Sequence, residues 1–167
     1  LNSIVATVAD RMQTEVCSIY ILDRDKKRLT LRATRGLDPE SVDKVSMGTG
    51  EGLTGLVIER MKPVMVADTL AHPRYKYFPE THEEHFHSFL GVPLIERKLP
   101  LGVLVVQTSR RREFARDEIR LLTTISAQAA SIIVQARLVD SLKTKEQERK
   151  SFQKRMNEAM RKLRSYE

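Results

Sequence analysis

The segment 114–167 constrains this chain more than any other, because it holds no proline or glycine and repeats apolar residues at helical spacing along its length. Ile119, Leu122, Ile125, Ala129, Ile132, Ile133, Ala136 and Val139 recur at three and four, which puts one apolar stripe against a core or a partner. Beyond them Leu138, Leu142, Phe152, Met156, Ala159, Leu163 and Tyr166 follow a 4-3-4-3 spacing, with Lys145 and Arg149 at the intervening positions. That is a coiled-coil register, polar in its middle. A mean globular helix has roughly 11–12 residues, whereas a helix of about fifty residues extends about 75 Å. No compact domain of this mass covers that length. One reading is a dimerising signalling helix that leads toward a further C-terminal part; the other is a solvated tail, helical only where something supports it.

Composition narrows the class. With 41% hydrophobic and 31% charged residues, 167 residues suit one globular domain. The longest apolar run, around residues 103–106, is far too short to span a bilayer. The single cysteine, Cys17, allows no internal disulfide and points to a reducing, cytoplasmic setting; its alternating apolar surroundings predict a buried, inert thiol. The net charge of +7 does not mark a nucleic-acid surface. Residues 1–115 carry 17 Lys and Arg against 15 Asp and Glu, and residues 116–167 carry 12 against 7. The excess lies in the long helix, where both signs are interspersed as on a solvated coiled-coil surface.

In chain order, residues 1–12 read as a short amphipathic helix through Ile4, Val5, Val8, Ala9 and Met12. Residues 16–22 and 28–34 alternate as two strands joined by a turn at 23–27. The run 47–55 has four glycines ahead of a short helix at 53–59. Its spacing matches neither a P-loop nor G-x-G-x-x-G after a strand, so a structural turn is favoured over a phosphate cradle. A strand at 63–66 precedes a long irregular segment, 69–87, that holds all four histidines. Loops of that length are uncommon unless they serve a function. His82, His85 and His87 lack a completing ligand cluster, and no metal centre is assigned. Strands at 88–95 and 101–107 follow, the second apolar enough to be covered on both faces. The expected fold is α+β: an antiparallel sheet with the terminal helices on one face and the 69–87 segment as a lid on the other.

Six runs in this order resemble a GAF domain over roughly residues 1–138: Cys17-Ser-Ile-Tyr-Ile-Leu-Asp23, Leu31-Arg-Ala-Thr-Arg-Gly-Leu37, Gly50-Glu-Gly-Leu-Thr-Gly-Leu-Val57, Pro63-Val-Met-Val-Ala-Asp68, Gly91-Val-Pro-Leu-Ile95 and Leu101-Gly-Val-Leu-Val-Val-Gln107. More narrowly, His72-Pro-Arg-Tyr-Lys-Tyr-Phe-Pro-Glu-Thr81 followed by Ser88-Phe-Leu-Gly-Val-Pro93 resembles the N-terminal GAF domains of the nitrogen-branch Enzyme I family, the phosphoenolpyruvate-protein phosphotransferases. The resemblance implies a GAF-like (PAS/profilin-like) sheet of about six strands, of which five are located here. It also implies a ligand pocket between sheet and lid, with glutamine or 2-oxoglutarate as effector, and regulation of a phosphotransferase in cis whose catalytic part is absent from this chain. The Asn-Lys…Phe-x-x-x-Asp-Glu pattern of cyclic-nucleotide GAF domains is not matched, since Phe114-Ala-Arg-Asp117-Glu118 is one residue short. No lid cysteine is present for a bilin.

On this basis the domain is expected at 1–139 and a helical linker at 140–167. Val66, Phe78, Phe86 and Phe89 are candidates for an apolar pocket wall, and Asp68, Arg74, Tyr75 and Ser88 for polar contacts to an amino acid or dicarboxylate. A homodimer through the N- and C-terminal helices is expected, with Leu122, Ile125, Ala129, Ile132, Ala136, Val139, Leu142, Phe152, Met156 and Leu163 at its interface. No catalytic residue is assigned. Neither nucleic acid nor membrane is expected as a partner.

Overall fold

A computed structural model describes residues 1–166; Glu167, the last residue of the expected linker, lies outside the described residues. The β-branched run of β1 (Val16–Leu22) turns back through Asp23, whose Oδ1 accepts the Lys27 N–H at 2.9 Å, into β2 (Arg28–Arg35). Strand β3 (Ser46–Gly48) is the one that sequence patterning misses, because three residues ending in glycine carry no readable alternation. It pairs with β2 at the sheet edge. Strand β4 (Val64–Val66) pairs with β5 (Ser88–Glu96), and β5 with β6 (Leu99–Thr108). The order is β3-β2-β1-β6-β5-β4, antiparallel throughout.

Two apolar layers follow from the strand period of two. Val103, Val105, Tyr20, Phe89, Leu29 and Leu31 face α2 (Gly52–Arg60), whose Leu53, Leu56 and Val57 belong to the same core. Ile19, Leu104, Val92 and Leu94 are fully buried on the other face. There α1 (Asn2–Met12) packs on β1 and β2 through Val5, Val8, Ala9 and Met12. A bulge keeps β2 useful to both layers: Ile19 opposes Ala33 while Tyr20 opposes Leu31, so Arg32 is an extra residue. That extra residue rotates the strand and sends Leu31 and Ala33 to opposite faces. Residues 69–87 have no strand or α-helix, only 3-10 turns at Thr69–Ala71, Pro79–Thr81 and Glu83–His85.

Helix α3 runs from Arg116 to Arg164 without a break. The chain divides into two compact units, Leu1–Ala130 and Ser131–Glu167. Within the first unit, α3 buries Leu122, Ser126, Ala129 and Ala130, a single stripe at four, three and one. Leu122 and Ala129, expected at a dimer interface, are thus core residues of the single chain. Ile125 is half-buried. In the second unit Ile132, Ala136, Val139, Leu142, Phe152, Met156 and Leu163 are exposed, Phe152 at 58% and Leu163 at 69%. One 18-residue window of α3 reaches a mean hydropathy of 1.2, which meets the length and composition of a membrane span; 28% of it is buried. The window is not a continuous apolar run, because its apolar residues are interleaved with Ser, Thr and Gln.

At Gly102 β6 runs tight against its neighbour, since a Cβ there would overlap the Tyr20 carbonyl oxygen and stand 3.1 Å from the Ile21 Cα. Backbone on a central strand has little room to yield. Gly102→Ala is expected to lower the unfolding free energy by about 3 kcal/mol, the upper end for single substitutions, as read by urea denaturation.

Candidate functional site

Between the sheet and the 69–87 segment lies a small cavity. Its floor is the α2-facing layer of the sheet, where Tyr20 of β1, Met47 of β3, Phe89 of β5 and Val105 and Gln107 of β6 contribute. Gly52, Leu53 and Thr54, the first turn of α2, form another side. The lid supplies Thr69, Tyr75, Lys76, Phe78 and Glu83. The space open to the centre of a water molecule is about 20 Å³, enough for one or two waters.

Two ion pairs fasten the lid to the α2 region. Arg74 Nη2 lies 2.9 Å from Glu59 Oε2 and also donates to the Gly50 carbonyl. Lys76 Nζ pairs with Glu51 and stands 5.2 Å from the centre of the Phe78 ring. The other oxygen of Glu51 accepts the Gly48 N–H at 2.7 Å, so the first turn of α2 has no side-chain cap. On exposed positions such pairs contribute up to about 1 kcal/mol each, so they position the segment without locking it.

Glu83 is the chemically unusual group. Burial pushes its carboxyl up to about 7, and the nearby Glu84 charge adds to the rise; hydrogen bonds from the Phe78 backbone N–H and the Gln107 and Thr81 side chains oppose it. The residue is only half-buried overall, yet its acid end enters the cavity. Beside it, burial and the Glu83 charge raise the Tyr20 phenol far above its ordinary range, and burial and the acid pair raise Tyr75 as well. Both phenols therefore stay neutral hydrogen-bonding groups. Burial lifts the Cys17 thiol to about 12, so at neutral pH it offers no nucleophilic thiolate.

Of the eight pocket candidates, Tyr75, Phe78 and Phe89 line the cavity. Val66 is in the core on the same sheet face but outside the lining. Ser88 cannot join Phe89, because neighbours on a strand point to opposite faces; its hydroxyl instead meets Thr108 Oγ1 and accepts the Thr108 N–H at 3.1 Å. Asp68 pairs with Arg111 at 3.3 Å, Arg74 is held by Glu59, and the Phe86 carbonyl accepts the Thr69 hydroxyl at 3.1 Å. Sequence reasoning passed over Tyr20, Gln107 and Glu83. Gln107 had a signal, as the polar residue closing an apolar run; Glu83 had none, being one acid among several in a polar loop. Among the described residues no three His, Cys, Asp or Glu groups converge as metal ligands. His82 faces Asp38 at 3.4 Å and His85 faces Glu84 at 3.8 Å.

The chain belongs to the GAF domain family, whose model matches residues 1–134. Over 138 residues it is 42% identical to the phosphoenolpyruvate-dependent phosphotransferase system protein of Escherichia coli (strain K12), a match that covers 83% of this chain and 18% of that protein. The chain therefore spans less than a fifth of the curated relatives it matches first. The GAF domain from a phosphoenolpyruvate-protein phosphotransferase (ptsP) of Coxiella burnetii superposes with a TM-score of 0.80 at 38% identity, over 84% of each chain. The GAF domain from the Acinetobacter phosphoenolpyruvate-protein phosphotransferase does so with a TM-score of 0.76 at 39% identity, again over 84% of each.

The raised Glu83 acid predicts a pH signature. Between its ordinary value of 4.5 and about 7, the folded state keeps a proton that the unfolded chain has released, so this group's stabilisation is complete below the lower value and is lost as pH rises through the upper one. Melting temperature should fall across that window in the native protein. Glu83→Gln should flatten the fall, and an unchanged slope would remove Glu83 as its source.

Proposed function

We propose that this is a regulatory, small-molecule-sensing GAF domain that controls a phosphoenolpyruvate-dependent phosphotransferase joined to it in cis, in nitrogen signalling. The observation that carries the reading is the cavity beneath the lid, with its few convergent polar groups on an apolar floor, in a chain 38–42% identical to GAF-containing phosphotransferases. Glutamine and 2-oxoglutarate are the effectors to test first. Residues 1–139 serve as the sensor and residues 140–167 as the linker. The domain performs no catalysis of its own and works in the cytoplasm, without nucleic acid or membrane as partner.

A homodimer completes the reading. Val139, Leu142, Phe152, Met156 and Leu163 leave an apolar seam in water, and a second copy of the same helix covers such a seam in a coiled coil. A shallow groove lined by Ile4 and Val8 of α1 and Ile125 of α3 offers a second contact, within the first unit. Ligand binding then shifts helix register to the extent that the two registers differ in ligand affinity.

A second reading, a ligand-free relay and dimerisation module of another regulator, is favoured by one observation. The cavity holds no more than one or two waters as it stands, so any amino acid must displace the lid. Thermal shift separates the two, because a ligand at a hundredfold excess over its Kd stabilises by about 2.7 kcal/mol. A rise of several degrees with either effector supports sensing, and a flat response to a broad metabolite panel supports the relay. For the dimer, Phe152→Glu and Leu163→Glu are each expected to halve the mass seen by sedimentation equilibrium; an unchanged mass would place the interface elsewhere.

A further inference from the structure

We propose that the end of the sheet carrying the β1–β2 and β5–β6 turns is a docking surface for a separate protein with a carboxylate-rich face. The ladder brings the two turns together: Ile21 of β1 pairs with Gly102 of β6, and Glu96 of β5 pairs with Leu99. Both lie at the end of the sheet away from Ser88 and Thr108, where the lid enters β5. Residues 23–28 hold four cations and two acids, and residues 96–98 hold two cations and one acid. Arg24, Lys26, Lys27, Arg97 and Lys98 are exposed, and among the described residues none of these five takes part in an ion pair. Elsewhere in the first unit Arg32, Arg35, Arg74, Lys76, Arg111 and Arg112 each meet an acid. Uncompensated positive charge is thus gathered at one end.

The backbone there gives up its own preferred chemistry. Arg97 and Lys98 form a two-residue turn with φ of 49° and 66°, and Lys26 in the neighbouring turn has φ of 56°. Positive φ at both central positions is the type I′ hairpin turn, which Asn-Gly or Asp-Gly fits best, because a Cβ crowds the backbone in that region. Two long cations stand there instead, and no side-chain hydrogen bond or ion pair among the described residues offsets the strain. Strain kept without a local gain points to function. Edge protection does not explain it: lysines guard free sheet edges, whereas β1, β6 and β5 lie inside the order β3-β2-β1-β6-β5-β4. Beside the two cations Leu99 is 53% exposed. An apolar centre within a charged rim is the anatomy of a protein interface, where arginine forks onto carboxylates. Asp23, Asp25 and Glu96 break the patch with negative charge, which suits a protein face of mixed sign better than a phosphate polymer or an anionic bilayer.

The test is calorimetric titration of the full chain at low ionic strength with poly-L-glutamate as the carboxylate probe, and with a DNA duplex and phosphatidylserine vesicles in parallel. Poly-L-glutamate is expected to bind, and the duplex and vesicles more weakly. Lys26→Glu combined with Arg97→Glu should weaken poly-L-glutamate about tenfold. The same charge change on α3, Lys154→Glu combined with Arg161→Glu, should alter it by less than about twofold. A third variant, Arg97→Asn with Lys98→Gly, gives the turn the residues it prefers. It should melt higher than the native chain and still bind about tenfold more weakly. No binding of poly-L-glutamate, equal losses from the hairpin and α3 reversals, tighter binding to the duplex or the vesicles, or native affinity in the Asn-Gly variant would overturn the assignment.

Discussion

Strand β6, paired on both edges and covered on both faces, is the constraint on which the other elements depend. Its edges are taken by β1 and β5, in unbroken register from Gly102 to Gln107 on the β1 side. Because the strand period is two, Val103 and Val105 must serve the α2-facing layer while Leu104 and Val106 serve the layer that α1 covers. Nothing on this strand can move toward one face without disturbing the other. Close packing makes such a strand a rigid partition, and a rigid partition joins the cavity floor to the helices behind it.

The cavity inherits its chemistry from where that partition ends. Gln107 is the last α2-facing residue of β6, and it reaches the Glu83 carboxyl that the lid lowers from above. Tyr20, one strand over, adds a phenol that burial keeps neutral. The result is a small apolar chamber with one poorly solvated acid. The lid that closes it has no regular hydrogen-bond ladder; it rests on 3-10 turns, two surface ion pairs and the apolar contacts of Tyr75 and Phe78. Segments held in this way open at lower free energy than core strands do.

Most of the architecture was legible in local pattern. Five of six strands, the three helices and the long irregular lid could be placed from alternation, helical spacing and glycine or proline punctuation. Strand β3 could not, since three residues at an edge carry no period, and its pairing with β2 is decided by the neighbouring strand. The bulge at Arg32 was equally invisible, because an extra residue shows only in the register with β1. For the cavity, of the lid aromatics named from sequence Tyr75 and Phe78 line it and Phe86 does not. Of the polar candidates Tyr75 lines it as well, whereas Asp68 and Arg74 lie outside the lining and pair with Arg111 and Glu59.

The sequence by itself determined the helices and five of the six strands, which family the chain resembles, and that its C-terminal helix outruns its own core. Those properties follow from side-chain period and backbone preference, which act over a few residues. Only the tertiary structure decided that Leu122 and Ala129 are spent on the core, that Ser88 turns away from the pocket, and that Glu83 enters it. Each of these depends on which face a neighbouring element covers, and burial by a distant segment leaves no mark on local periodicity.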